Sequence, residues 1–118
     1  MILHVVLFTP RATLTAGEQN DLATALERAL TTIPSIVSYR VGRRTRTGAA
    51  YDALPGRFEF CGVIEFADLD GLARYLSHPA HGELGRLFYL TSAEAFAGDF
   101  EAVADSPAAA LRDWTTRR

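Results

Sequence analysis

The segment from Ile2 to Phe8 is apolar on both of its alternating faces, and no other feature restricts the possible folds as much. It is short, rich in Val, Leu and Ile, and followed by Thr9-Pro10, which is typical of a strand. Alternation places Ile2, His4, Val6 and Phe8 on one face and Leu3, Val5 and Leu7 on the other. Both faces therefore require burial, so the strand belongs in a sheet that is covered on both sides.

A capping box and an apolar stripe predict the first helix. Thr15 is followed three residues later by Glu18, so we expect Thr15 to cap the helix and Glu18 to reach back to its amide. The apolar positions that follow recur at the helical spacing: Leu22, Ala25, Leu26, Ala29, Leu30 and Ile33. Pro34 ends this pattern, which is that of an amphipathic helix.

The rest of the chain continues with three strands and a second helical region. Alternation predicts a strand from Ile36 to Arg44, and turn-forming residues predict a long loop from Thr45 to Arg57. A third strand is expected from about Phe58 to Phe66, and Asp68 is placed to cap the helix after it. The remaining expectations are a helix with the buried stripe Leu69, Leu72, Ala73 and Leu76 that ends near His78-Pro79, a short helical turn through Leu84, Leu87 and Phe88, and a fourth strand from Glu94 to Val103.

This order of elements predicts an α+β chain of the ferredoxin-like (split βαβ) type, with an antiparallel sheet and both helices on one face. The other face has no helix to cover it, although the strands carry bulky apolar residues on both sides. Pairing two sheets face to face would remove that exposure. The pattern therefore predicts a homodimer that encloses an apolar interior, a space that can also hold a ligand.

Composition excludes several classes of function. At 118 residues the chain fits one domain, and all 12 of its positive charges are arginine, so Schiff-base and P-loop lysine chemistry are excluded for it. A net charge of -2 gives no electrostatic reason to expect nucleic acid or an anionic membrane as a partner. Cys61 is the single cysteine, and the first residues lack a basic leader and a cleavage site, so we expect a reducing, cytoplasmic location.

The string from Tyr75 to His81 places a phenol and two imidazoles at the end of the second predicted helix, and a third imidazole, His4, lies on the first strand. Imidazole is the commonest general acid or base near neutral pH, and a nearby tyrosine can donate a hydrogen bond to a carbonyl or enolate oxygen. These residues are the candidate chemical groups of the chain.

Several strings together resemble the stress-responsive A/B barrel family, called Dabb, over about Met1 to Val103. They are the opening Met1 to Phe8, the Ile33-Pro34 helix end, Val41-Gly42-Arg43, Val63-Ile64-Glu65-Phe66 and, above all, Tyr75 to His81. The resemblance implies a dimeric α+β barrel of two ferredoxin-like chains, which agrees with the patterning.

Some members of that family are polyketide cyclases that close a ring by an aldol reaction without a cofactor. The resemblance implies that His81 is the acid-base residue, that Tyr75 orients or polarises the substrate, and that His4 lines the pocket. Phe8, Phe60 and His78 are further candidates for substrate binding. The chain departs from the cyclases at Leu26, where they can carry a pocket tyrosine. A hydrophobic, oxygen-bearing small molecule or polyketide-like substrate is therefore expected, with no metal and no organic cofactor.

Other interpretations remain open at this point. The chain can be a non-catalytic stress-responsive or ligand-binding protein whose interior is filled by Phe8, Phe60 and Phe66, with the histidines capping a helix end or packed in the core. A cofactor-free monooxygenase of quinols is a third possibility, because a related barrel fold hosts such enzymes. Three histidines also suit zinc, but no metal-binding string is present.

Two features lie outside this core assignment. We place the domain at residues 1–103 and a C-terminal extension at 104–118, where Ser106-Pro107 favours a short helix from Ala108 to Trp114, with Trp114 as an anchor. Four arginines are clustered at the end of the second strand and can bind a carboxylate or a phosphopantetheine-like carrier, or form a solvated strand end: Arg40, Arg43, Arg44 and Arg46.

Overall fold

A computed structural model describes residues 1–54, 58–103 and 106–112 of the chain. The strands are β1 (Ile2–Pro10), β2 (Ile36–Arg43), β3 (Phe60–Phe66) and β4 (Ser92–Glu101). The α-helices are α1 (Ala16–Thr32), α2 (Leu69–Ser77), α3 (Pro79–Thr91) and α4 (Pro107–Arg112), and a 3-10 turn spans Ala50–Ala53 in the loop after β2.

The four strands form one sheet in the order β2-β3-β1-β4, and each neighbouring pair is antiparallel. β1 is therefore an inner strand, with a hydrogen-bonded neighbour on each edge. On β1, His4 lies opposite Ile64 of β3 and Asp99 of β4. This is the ferredoxin-like α+β chain that the sequence pattern predicts, and the prediction is confirmed.

The hydrophobic core lies between the sheet and the helices. Phe66 is completely buried, and the cluster around it draws side chains from two strands, β1 and β3, and from the three helices α1, α2 and α3 with the residue that follows α1. Its members are Ile2, Ala29, Ile33, Ile64, Phe66, Leu72, Tyr75 and Ala80. Side chains alternate between the two faces along a strand, and Ile2 belongs to this core. The even-numbered residues of β1 from Ile2 to Phe8 therefore all face the helix layer.

The helix starts follow the capping signals in the sequence. The Glu18 amide donates to Thr15 Oγ1 and the Thr15 amide donates to Glu18 Oε1, both at 3.1 Å, which completes the capping box of α1. The Gly71 amide donates to Asp68 Oδ1 at 2.8 Å and caps α2. α1 ends before Pro34, as its pattern predicts.

The second helical region is more extensive than the sequence pattern indicates. In place of a short turn through Leu84 and Phe88, α3 is a helix of 13 residues that starts directly after α2. His78 is extended and separates the two helices, and Pro79 occupies the first turn of α3, where its missing N–H costs no hydrogen bond. The prediction of only a turn was wrong because Gly82 and Gly85 weaken the local helix signal, while packing against α1 stabilises α3.

The other face of the sheet carries no helix in the described residues. Its apolar side chains are Leu3, Val5, Leu7, Val63, Phe96 and Phe100, and we call this set the open face. Phe96 is 45% exposed and Phe100 is 50% exposed. Both rings lie close to Gly98, where an added Cβ would lie 3.0 Å from Phe96 and 3.3 Å from Phe100. The chain therefore presents an uncovered apolar surface, as the sequence predicts.

In the C-terminal extension, α4 begins after Ser106, whose carbonyl accepts from the Ala109 amide at 3.0 Å. Trp114, expected to anchor this segment, lies outside the described residues. None of the helices in the described part of the chain has the length and apolar character needed to cross a membrane.

Candidate active site

Three of the sequence-predicted residues meet in one ring cluster between the sheet and the helices. Tyr75, in the last turn of α2, lies between His4 of β1 and His81 of α3. The ring centroid of Tyr75 is 5.6 Å from that of His4 and 4.6 Å from that of His81. We call these three residues the His4–Tyr75–His81 cluster.

The cluster is not where the sequence analysis expected a ligand. We expected the space between two paired sheets, but His4 shares the helix-covered side of β1 with Ile2, on the opposite side of the sheet from Val5. Tyr75 reaches this side because the capped helix α2 lies across it. The candidate chemistry is therefore contained within one chain, between its own sheet and its own helices.

Tyr75 is a buried phenol. Only 2% of its surface is exposed, and burial raises the pKa of its hydroxyl to about 12, because the charged phenolate loses solvation. It is therefore a neutral hydrogen-bond donor at physiological pH.

His81 lies in the first turn of α3. Its Nδ1 atom is 3.2 Å from the carbonyl oxygen of Leu76. A carbonyl oxygen only accepts, so Nδ1 carries the hydrogen and Nε2 carries the lone pair. Partial burial lowers the pKa of His81, and the nearby His4 lowers it further, while the Leu76 carbonyl acts in the opposite direction. At neutral pH His81 is therefore an uncharged imidazole that can accept a proton at Nε2.

His4 is held by a carboxylate. The imidazole is 7% exposed, and its Nδ1 lies 2.6 Å from Oδ1 of Asp99 on β4. An ionised carboxylate only accepts, so Nδ1–H donates and the ring is fixed in one orientation, with Nε2 on its far side. An imidazole oriented by a carboxylate is the arrangement that proteins use to position a proton-transferring group.

Sequence reasoning missed Asp99. The alternation of β4 separates Asp99 from the face that carries Phe96 and Phe100, but it does not say which residue of β1 lies beside it. That depends on the register between β1 and β4, which pairs Asp99 with His4. The available signal was the combination of a buried histidine with a carboxylate on the helix side of a neighbouring strand.

The side chain of His78 caps the N-terminus of α3. Its Nδ1 accepts from the Ala80 amide at 3.0 Å and caps α3. The His81 amide also donates to the His78 carbonyl at 3.0 Å, so His78 organises the turn that places His81. Because Nδ1 accepts a hydrogen bond, it carries no hydrogen, and the imidazole is neutral in this arrangement.

Phe8 and Phe60 lie on the same side of the sheet as His4, but farther along it. Their rings stack at 5.2 Å, and the edge of Phe88 from α3 meets Phe8 at 5.1 Å. Phe8 is four positions after His4 on β1, a distance of about 13 Å along a strand. The structure therefore places these aromatic candidates beyond the cluster, in a separate stack. Leu26, the position of the departure from the cyclases, is half-buried in α1.

Two clefts are open on the surface of the described residues, with volumes of about 400 and 340 Å³. The first lies at the end of β2 and β3, and the second between α1 and α3. Neither is lined by His4, Tyr75 or His81. In the same described residues, no group of three or more His, Cys, Asp or Glu side chains is arranged to hold a metal ion.

Comparison with protein families gives a match over nearly the whole chain. The model of the Stress responsive A/B Barrel Domain matches residues 2–102. Comparison with proteins of curated function gives no significant match.

Solved structures share the fold. A dimeric ferredoxin-like protein of unknown function from Thermobifida fusca is 27% identical, with a TM-score of 0.66 over 86% of this chain and 90% of that one. The hydroxynitrile lyase of Passiflora edulis is 13% identical, with a TM-score of 0.74 over 90% of this chain and 96% of that one. SnoaB, a cofactor-independent oxygenase from Streptomyces nogalater, is 17% identical, with a TM-score of 0.64 over the same shares of the two chains.

Proposed function

This chain belongs to the stress-responsive A/B barrel (Dabb) family, and we propose that it is a cofactor-independent acid-base catalyst of the aldol cyclase or lyase type. Its substrate is a hydrophobic small molecule with a carbonyl group. The His4–Tyr75–His81 cluster is its active site, with His81 as the base and Tyr75 as the hydrogen-bond donor to the substrate oxygen.

One observation carries the proposal: the ring of the buried Tyr75 lies against the imidazoles of both His4 and His81. The Tyr75 hydroxyl is a hydrogen-bond donor, and a carbonyl oxygen of a ligand can accept from it. The pKa of about 12 keeps the donor protonated while it stabilises a negative oxygen.

The proton transfers follow from the state of each group. Nε2 of His81 accepts a proton from the carbon next to the carbonyl, and the C–H electron pair becomes an enolate whose oxygen is held by the Tyr75 hydroxyl. The enolate carbon then attacks a second carbonyl of the same molecule, which forms the new C–C bond. The resulting alkoxide takes the proton back from His81, so the cycle is balanced and needs no external oxidant or reductant.

Asp99 is a positioning residue in this scheme. Its hydrogen bond to Nδ1 orients His4 beside Tyr75. His4 lines the substrate space, with Nε2 as a second donor or acceptor for a polyoxygenated substrate. Asp99 itself does not touch the substrate, so it acts only through His4.

Relatives of this fold support a catalytic proposal without fixing the reaction. One is named as a hydroxynitrile lyase and another as a cofactor-independent oxygenase. An oxygenase is the alternative reaction on the same cluster. The non-catalytic alternative has its own supporting observation, since Tyr75 is 2% exposed and a substrate would have to move neighbouring side chains to reach it.

A homodimer is part of the proposal. The open face is uncovered in the single chain, and the relative from Thermobifida fusca is described as dimeric. Two open faces that pack together would remove Phe96 and Phe100 from water. Native mass spectrometry is expected to show a species at twice the chain mass of 12.9 kDa, with any retained ligand as added mass. A monomer at all concentrations would contradict this part.

The catalytic part is tested by hydrogen exchange. Purified protein is incubated in deuterated buffer with 2-octanone, acetophenone and 2,4-nonanedione, and NMR measures the loss of hydrogen at the carbons next to the carbonyls. We expect wild type to accelerate exchange of at least one ketone, and His81→Ala to lose that acceleration. Tyr75→Phe should lower it by about 10²–10³-fold, the range for removing one oxyanion donor.

The pH dependence gives a second readout. Because burial lowers the pKa of His81 below its usual 6.5, the neutral base is present at pH 7 and is lost only as the pH falls below 6.5. The exchange rate should therefore have an acid limb below pH 6.5 that is absent in His81→Ala. Circular dichroism serves as the control for folding. An unaltered rate in folded His81→Ala, or no acceleration of any of the three ketones, would favour the non-catalytic alternative.

A further inference from the structure

Gly62 leaves an unfilled position on the helix side of the sheet. It lies on β3 opposite Val6 of β1 and Val41 of β2, so a side chain at this position would point toward the helices. A Cβ added to Gly62 would have no atom within 4 Å apart from those of its chain neighbours. The helix layer therefore does not fill the space above Gly62.

The backbone at Gly62 does not require a glycine. Among the described glycines, only Gly48 has a positive φ, so the φ of Gly62 is one that other residues adopt. The register of β3 is continuous through Gly62 on both edges, so no bulge lies there. A glycine inside a strand often marks a place where a ligand or another backbone approaches closely. No backbone lies within 4 Å of a Cβ at Gly62, so of these two occupants the ligand remains.

Packing between the sheet and the helices becomes looser at the level of Gly62. On β1, His4 is 7% exposed, whereas Val6, two residues later on the same face, is only half-buried. Val41, the neighbour of Gly62 on the edge strand β2, is 54% exposed. The space above Gly62 is therefore open toward the β2 edge of the sheet.

The open position lies between the His4–Tyr75–His81 cluster and the stack of aromatic rings that includes Phe60. Gly62 is the diagonal neighbour of His4 across β1 and β3, and diagonal neighbours lie about 7–8 Å apart. It is two residues from Phe60 on the same face, which is about 7 Å along a strand. Because aromatic rings interact at centroid distances of about 4.5–7 Å, a ring above Gly62 can contact Phe60 while the rest of the same molecule reaches the cluster.

Given the proposed active site, on which this inference depends, we propose that Gly62 makes the enzyme specific for aryl ketones. The carbonyl oxygen of the substrate accepts from Tyr75, and the aryl ring stands over Gly62 against Val6 and Phe60. Apolar and aromatic walls favour a flat apolar body. Gly62 takes no part in proton transfer, and it determines specificity because a larger side chain would occupy the volume of the ring.

Hydrogen exchange with one small ketone and two aryl ketones tests this role. Wild type, Gly62→Ala and Gly62→Val are compared by NMR in deuterated buffer with acetone, acetophenone and 2-acetonaphthone. We expect Gly62→Val to lower kcat/KM for both aryl ketones at least tenfold, because the added isopropyl group fills the position of the ring. Exchange of acetone should stay within about twofold of wild type. Gly62→Ala should show the same selectivity with a smaller loss.

Two controls distinguish an effect on specificity from an effect on folding. Gly17→Ala, in the first turn of α1, also adds a methyl group without a clash, since its Cβ would lie 3.8 Å from Thr15 Oγ1, and it should exchange every ketone like wild type. The melting temperature of Gly62→Val should equal or exceed that of wild type, because valine favours strands. A lower melting temperature in both Gly62→Ala and Gly62→Val would contradict the open space. Exchange that falls equally for all three ketones, or for none, would overturn the proposal.

A binding measurement separates this proposal from the proposed chemistry. Isothermal titration calorimetry with 2-acetonaphthone should give saturable binding to wild type and to Gly17→Ala, and at least tenfold weaker binding to Gly62→Val. If no ketone exchanges but this difference in affinity is found, the catalytic proposal fails and the ring position above Gly62 stands. If 2-acetonaphthone does not bind saturably, or binds wild type and Gly62→Val equally, the role of Gly62 is overturned whatever the exchange rates.

Discussion

The two faces of β1 are similar in sequence but different in structure. On the helix side, Ile2 and His4 are buried against Tyr75, and the burial shifts the pKa values of Tyr75 and His81. On the open face, Leu3, Val5 and Leu7 lie beside two half-exposed phenylalanines. Apolar side chains on a strand thus show that each face must be buried. Whether helices of the same chain or a second chain bury that face decides whether it carries polar candidate residues or a dimer interface.

The largest expected effect comes from removing the buried aromatic on the helix side. Phe66→Ala should lower the free energy of unfolding by about 3–5 kcal/mol, because Phe66 is completely buried and a cavity would remain. Denaturant unfolding followed by circular dichroism measures this. Tyr89→Ala, at a position on α3 that is 83% exposed, is the control and should change stability by less than about 0.5 kcal/mol. Equal losses for the two variants would contradict the assignment of the core.

The second largest effect is expected in an alkaline titration of Tyr75, which lies on the same helix-covered side of the sheet. The pKa of Tyr75 is about 12 in the folded chain and 10.0 in the unfolded one, a difference worth about 3 kcal/mol. This stabilisation of the folded state is complete below pH 10 and is lost as the pH rises through about 12. Absorbance at alkaline pH should contain a tyrosine step near 12 that Tyr75→Phe lacks. If the step persists in Tyr75→Phe, it does not come from Tyr75, and the raised pKa of this buried phenol is contradicted.

A substitution on the open face should weaken self-association and have little effect on the stability of the single chain. Phe100→Glu should weaken self-association by about 2 kcal/mol or more, since a phenylalanine that is buried on pairing contributes about that much. Analytical ultracentrifugation over a range of concentrations measures the change. Tyr89→Glu adds the same charge outside the sheet and should leave association unaltered. An unchanged dimer in Phe100→Glu would mean that the open face is not the interface.

The smallest expected effect distinguishes two histidines three residues apart. His78→Ala should lower stability by about 1 kcal/mol through loss of the cap on α3, and His78→Asn, another good capping residue, should restore most of it. Ketone exchange should remain within about fivefold of wild type in His78→Asn, because His81 keeps its turn. A loss of exchange in His78→Asn as large as in His81→Ala would assign His78 to the chemistry.

The strands, the caps and the family could be predicted from the chain itself. Thr15 and Asp68 cap the expected helices, and the four expected strands form one sheet. The 13-residue extent of α3 could not be predicted, because its glycines oppose a helix locally and only the contact with α1 outweighs them. The same limitation applies to Asp99, whose pairing with His4 depends on strand register.

The sequence by itself determined which residues can carry chemistry and that the chain forms a ferredoxin-like sheet with one uncovered face, because periodicity and capping are local properties. Only the tertiary structure decided that His4, Tyr75 and His81 meet on the helix side, that His78 is occupied by a backbone amide, and that Asp99 orients His4. These relations join residues that are distant along the chain or separated by a helix break. They depend on sheet register and helix packing, which no local pattern encodes.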